Sequence, residues 1–91
     1  MSYNPEHTIA KRVYLHKNGQ PQLPPKLLVV NHRQIRDFNS FLSQATGGLK
    51  TSVAVRSIYT PITGTRLHSL DQLEPGRHYV AGGNEKFRKG K

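Results

Sequence analysis

Ninety-one residues with a hydrophobic fraction of 34% and a mean hydropathy of −0.65 make one small domain with a lean core, and no apolar run approaches the roughly 18–20 residues that span a bilayer. Fourteen Lys and Arg against five Asp and Glu give a formal charge of +9, which speaks about partners rather than fold and points to a large acidic surface. Cysteine is absent, which excludes a disulfide framework and thiolate metal ligands, and the N-terminal Met1-Ser2-Tyr3-Asn4-Pro5-Glu6 lacks the apolar stretch of a signal peptide, so a cytoplasmic protein is expected.

In chain order, Met1 to Ala10 lack periodicity and read as a flexible lead-in. Val13-Tyr14-Leu15-His16 reads as a strand behind Lys11-Arg12, and Asn18-Gly19 is a hairpin signal because both residues tolerate positive φ. Pro21, Pro24 and Pro25 forbid a central strand and lengthen the connection to the returning strand Lys26-Leu27-Leu28-Val29-Val30. Asp37 is a good N-cap, and Phe38, Phe41, Leu42, Ala45 and Leu49 follow at helical spacing as one apolar stripe, with Gly47-Gly48 expected to end the helix. Val53 to Tyr59 alternates and predicts a strand, with Val53, Val55, Ser57 and Tyr59 on one face; Ile58 breaks that parity and suggests a bulge. Pro61-Ile62-Thr63-Gly64 is a turn, Thr65-Arg66-Leu67 a short strand, and Ser69-Leu70-Asp71-Gln72-Leu73 a capped helical turn with two inward leucines. Glu74-Pro75-Gly76 turns the chain into a last strand, Arg77-His78-Tyr79-Val80-Ala81, and Gly82-Gly83 reads as a turn rather than as the processing site of a ubiquitin-like modifier.

The order strand, strand, helix, strand, strand, helical turn, strand predicts an α+β ubiquitin-like β-grasp, a mixed four- or five-stranded sheet with one main helix, the last strand inserted centrally. Catalytic chemistry finds no footing. The acids are scattered without paired carboxylates, and the five histidines show neither His-x-His nor His-Glu-x-x-His spacing. No glycine-rich phosphate loop occurs, so no enzyme, cofactor or metal site is expected.

Taken in order, the segments Lys11 to Gly19, Ile35 to Thr46, Val55 to Thr60, Ser69 to Leu73 and Gly76 to Gly83 resemble the doublecortin domain family. The shared pattern is a basic strand ending in Asn-Gly, an aromatic-led helix followed by Thr and a strand ending in Tyr-Thr, then a Ser-Leu-Asp-x-Leu turn and a Tyr-Val finish with a Phe-Lys-like tail. The likeness covers roughly residues 11–89, and it is the ordered set that carries it. Gln20 stands where the family usually has an acid, and Pro24-Pro25 where it usually has a glycine. On this resemblance the domain is residues 11–83, between the lead-in at 1–10 and a basic C-terminal tail at 84–91.

The resemblance implies microtubule binding and stabilisation in the groove between protofilaments. Tubulin is then the partner, the location is the microtubule cytoskeleton, a cilium or axoneme included, and a second doublecortin domain is a candidate neighbour in a longer chain. The residues expected to meet acidic tubulin are Lys11, Arg12, Lys17, Arg36, Arg66, Lys86, Arg88 and Lys89. Phe87 is expected chiefly to anchor the tail onto the domain. The same charge leaves two other readings open, a nucleic-acid-binding domain and a ubiquitin-like protein-interaction adaptor. Against the first, the helix carries no Lys or Arg and no aromatic stacking platform is visible.

Overall fold

Strand β1 (Ala10–Lys17) pairs antiparallel with β2 (Lys26–Asn31) in a computed structural model of the protein that describes residues 10–20, 22–31 and 33–88. Val13 and Leu15 of β1 and Leu28 and Val30 of β2 alternate inward, so one face of the hairpin is apolar. Helix α1 (Phe38–Leu49) lies across that face. It starts where the Asp37 carboxylate accepts the Ser40 backbone N–H at 2.7 Å, and it buries Phe41 and Ala45 with Phe38, Leu42 and Leu49 partly covered beside them. The predicted apolar stripe is therefore the packing stripe.

Strand β3 (Ser57–Tyr59) follows, then a 3₁₀ turn (Leu70–Gln72), then β4 (His78–Gly82). The last strand enters the middle of the sheet, giving the order β2-β1-β4-β3, with β4 parallel to β1 and antiparallel to β3. This is the expected ubiquitin-like β-grasp with four strands. Thr65 to Leu67 forms only a single bridge, Tyr59 to Arg66, supported by Leu67 N–H donating to the Ile58 carbonyl at 2.8 Å. The 3₁₀ turn is capped by the Gln72 side chain, which accepts from the backbones of His68 and Ser69. Leu73 just beyond the turn is fully buried and Leu70 partly so.

Three local expectations change. The helix runs past Gly47-Gly48 to Leu49 and ends on Lys50 in the left-handed region, φ 54°. Gly48 serves packing instead: a Cβ there would stand 2.7 Å from Leu28 Cδ2, so a larger residue would oblige the Leu28 side chain to shift. The strand expected from Val53 contracts to Ser57–Tyr59, because pairing stops where β4 stops at Gly82 and the Val55 N–H is taken by Thr46 Oγ1 at 2.8 Å, leaving Val53 61% exposed. No bulge is needed for Ile58. It fills the core on the helix side, while Ser57 and Tyr59 are covered from the other side, so all three β3 residues are buried and no parity is visible in their sequence.

Phe41, with no exposed surface, is the largest fully buried side chain of this small core. Phe41→Ala is expected to lower unfolding free energy by about 3–5 kcal/mol, read from urea denaturation with an unchanged slope. A loss under about 1 kcal/mol would contradict the packing described.

Candidate partner-binding surface

Each predicted contact residue has a defined place except Lys89, which lies outside the described residues. Lys11 does structural work: its ammonium donates to the Leu70 carbonyl at 3.2 Å and the Leu73 carbonyl at 2.9 Å, tying β1 to the end of the 3₁₀ turn. Arg36 is exposed at the same end of the domain. Its Nε donates to the Arg33 carbonyl at 3.3 Å, and it lines an open cavity of about 490 Å³ with Phe38, His68 and Leu70. Arg12 is exposed on the sheet face away from α1, opposite Val29 in register. Arg66 is exposed at the outer margin of β3, bridged to Tyr59.

Of the remaining three, two dock at the turn that follows the third. Lys17 ends β1 opposite Ala81, and the turn after it is Asn18-Gly19. Only Gly19 takes positive φ there, at 78°. Asn18 does not, and its side chain has a different task. Its Nδ2 donates to Glu85 Oε2 at 3.0 Å and to the Lys86 carbonyl at 2.9 Å, and its Oδ1 accepts the Arg88 N–H at 2.7 Å. The Tyr59 hydroxyl donates to the Glu85 carbonyl at 3.3 Å, and Phe87 packs on Tyr59 with ring centroids 5.5 Å apart, against Gly64, which has no side chain in the way. Residues 84–88 therefore lie against the domain. Lys86 and Arg88 are brought to the same turn as Lys17, with the Arg88 aliphatic stem resting on Gly19.

The seven described residues thus divide. Lys86 and Arg88 are docked together at the turn that follows Lys17, Lys11 and Arg36 belong to the opposite end of β1, about 20 Å away at the usual strand rise, and Arg12 and Arg66 sit apart on the sheet. Glu85 is the acid within the first group. Its carboxylate is held below the usual range, first by the Asn18 amide and then by backbone N–H groups, with Arg88 adding a smaller pull.

Sequence reasoning missed two constellations. The latch around Asn18 joins residues 67 to 70 positions apart, and an Asn in Asn-Gly is read naturally as a turn former. The second lies on the open sheet face, where His16 Nε2 and His78 Nδ1 share a hydrogen bond of 2.8 Å and Tyr14 stacks on His78 at 4.7 Å. Strand alternation alone puts Tyr14 and His16 on one face, but their meeting with His78 needs the β1–β4 register. Among the described residues no three His, Asp or Glu side chains converge as a metal site would require, and no helix is long and apolar enough to cross a membrane.

A family model described as Doublecortin matches residues 29–87. The chain is 43% identical over 82 residues to doublecortin domain-containing protein 2 of Rattus norvegicus and 42% identical to that of Homo sapiens, matches that cover 89% of this chain. It is 32% identical over 84 residues to serine/threonine-protein kinase DCLK2 of Mus musculus, covering 88% of this chain and 11% of the kinase. The chain spans 17% of the length of the doublecortin domain-containing protein 2 relatives. Among solved structures it resembles the crystal structure of cell death-inducing DFFA-like effector c, with TM-score 0.68 at 12% identity, covering 87% of this chain and 97% of that one; this likeness concerns the fold alone.

Burial first, and the neighbouring His78 second, hold the His16 imidazole below its ordinary value of 6.5. A histidine that resists protonation when folded contributes stability that is complete above that ordinary value and is lost as pH falls through it toward the folded value. The melting temperature should therefore fall between about pH 7.5 and 5.5, and His16→Gln should flatten the slope over that interval. An identical slope in the variant would place the acid sensitivity elsewhere.

Proposed function

The chain belongs to the doublecortin family, and from that premise we propose that it is a non-catalytic module that binds microtubules and stabilises them from the groove between protofilaments. The observation that carries this reading is the docking of Lys86 and Arg88 on the Asn18-Gly19 turn within a chain of formal charge +9. A docked cationic group suits the acidic surface of tubulin. Lys89, next in sequence, extends the basic tail proposed for residues 84–91, and Arg12, Arg36 and Arg66 offer further contacts around the domain. Lys11 contributes chiefly by fixing the 3₁₀ turn. The proposed setting is a cytoplasmic microtubule array, where a second doublecortin domain in the same polypeptide is a natural neighbour.

Exposed ion pairs contribute only about 0.2–1 kcal/mol each. Affinity on this reading comes from several charges acting together on a complementary shape, and the long-range field serves mainly to speed encounter.

Co-sedimentation with polymerised tubulin tests the proposal. Pelleting should weaken steeply as salt rises toward 0.15 M, where the Debye length shortens to about 8 Å. Arg88→Glu should weaken it further while leaving the melting temperature nearly unchanged, since surface substitutions usually stay within about 0.5 kcal/mol. Binding that persists at several hundred millimolar salt would contradict the charge argument. A mobility shift with DNA or RNA in the absence of any pelleting would favour the nucleic-acid reading instead.

A further inference from the structure

We propose that Asn18 is a positioning residue for partner binding: by locking residues 84–88 onto the β1–β2 turn, it makes Lys86 and Arg88 part of a preformed contact surface. The proposal rests on the microtubule reading above and adds to it the residue that shapes the surface.

Asn18 is held at a fixed place in the fold. Its own backbone N–H donates to the Ala81 carbonyl at 2.9 Å, so it stands at the end of the β1–β4 ladder and its position is set by the sheet. From that fixed point its amide uses both donors and its acceptor on three residues of one returning segment: Glu85, Lys86 and Arg88. No other side chain of similar size does this. Aspartate has no donor and would turn a negative charge toward Glu85; serine is shorter and has one donor; leucine has neither. An asparagine is also short enough to give up little rotational freedom in making the contacts.

The other side of the latch is built to match. One Glu85 oxygen takes the Asn18 amide, and the other takes the Gly83 N–H at 3.0 Å, so a single carboxylate spans the turn out of β4. Gly82 and Gly83 give this carboxylate its room: a Cβ at Gly82 would stand 2.9 Å from Glu85 Oε2 and 3.4 Å from the Asn18 Cβ. Phe87 then closes the segment by its packing on Tyr59. Lys86 and Arg88 flank this buried-side anchor and remain exposed.

Two long cationic side chains on a loose tail must be ordered when they bind, and that ordering opposes association. Held by the latch, their backbone is ordered in advance. Asn18 thus acts on the partner through Lys86 and Arg88, without itself needing to touch it.

The test uses the 91-residue chain with Asn18→Ala, and Glu85→Ala as a second variant that opens the latch from the other side while leaving the turn intact. Amide heteronuclear NOE values report the state of the segment without any partner. In the parent, residues 85–88 should be as rigid as β4; in both variants they should fall, with the sheet amides unchanged. Co-sedimentation at low salt should then weaken roughly five- to tenfold, the order expected when the backbone of about one tail residue must be fixed on binding. Arg88→Glu should cost much less in the Asn18→Ala background than in the parent, a coupling that a purely structural turn residue would not produce. Rigid tail amides in both variants would overturn the latch. A loosened tail with undiminished pelleting, or additive effects of Asn18→Ala and Arg88→Glu, would overturn the positioning role while leaving the microtubule reading in place. A parent chain that does not pellet at all, with the NOE difference still present, would overturn the microtubule reading and the positioning role with it.

Discussion

The parallel pairing of β1 with β4 is the constraint on which the remaining features hang. Two backbone bonds bracket it, Tyr14 N–H to the Arg77 carbonyl at 3.0 Å and Asn18 N–H to the Ala81 carbonyl at 2.9 Å. Parallel strands bring like ends together, so the residue that leaves β1 and the residue that leaves β4 emerge side by side. That is why a side chain at position 18 can reach residues 85 to 88, and why a sequence-distant basic tail settles against the Asn18-Gly19 turn. The same register sets His78 next to Tyr14 and diagonal to His16 on the face that the helix leaves open. A shift of one residue in this pair would turn Tyr79 and Ala81 out of the core and dissolve the latch together.

The charge distribution follows a division of labour. The described acids are engaged locally: Asp37 caps α1 and is held below its usual range by the Ser40 N–H, Asp71 sits in the first turn of the 3₁₀ segment, Glu74 faces Arg77 at 4.0 Å, and Glu85 is tied into the turn after β4. Asp37 and Asp71 stand at helical N-termini, and Glu74 and Glu85 in turns with a neighbouring cation or donor groups. The positive charge is therefore spread outward as the field of the molecule. Lys11 is turned to a structural task, because its ammonium satisfies two carbonyls at the end of a helical turn.

Much of the architecture was legible in the sequence because the signals were local. Asp37 with the stripe Phe38, Phe41, Leu42, Ala45 and Leu49 marked α1, and the Asn18-Gly19 signal with the apolar runs on either side marked β1 and β2. The misreadings share one cause, in that a tertiary contact took over a residue whose local meaning was different. Gly48 reads as a terminator and is a packing notch for Leu28; Asn18 reads as a turn former and is a latch. Ser57 and Tyr59 lose their apparent polarity pattern because the returning tail covers them. For the candidate surface, sequence could list cations but not sort them. Whether a lysine faces solvent or a carbonyl, as Lys17 and Lys11 do respectively, depends on elements some sixty residues away.

The central place of β4 also bears on how the chain is made. Synthesis delivers β1, β2 and α1 first, yet β1 then has one side of its ladder unpaired, and β3 has only the single bridge to Arg66 until His78–Gly82 arrives. During that interval the nascent domain is a hairpin and a helix with an open apolar edge, the kind of species that pairs with other chains or recruits a chaperone. The sheet cannot zip outward from its beginning; it must be closed by a strand inserted between two that wait for it. The sequence Gly82 to Arg88 then fastens the exit of that inserted strand.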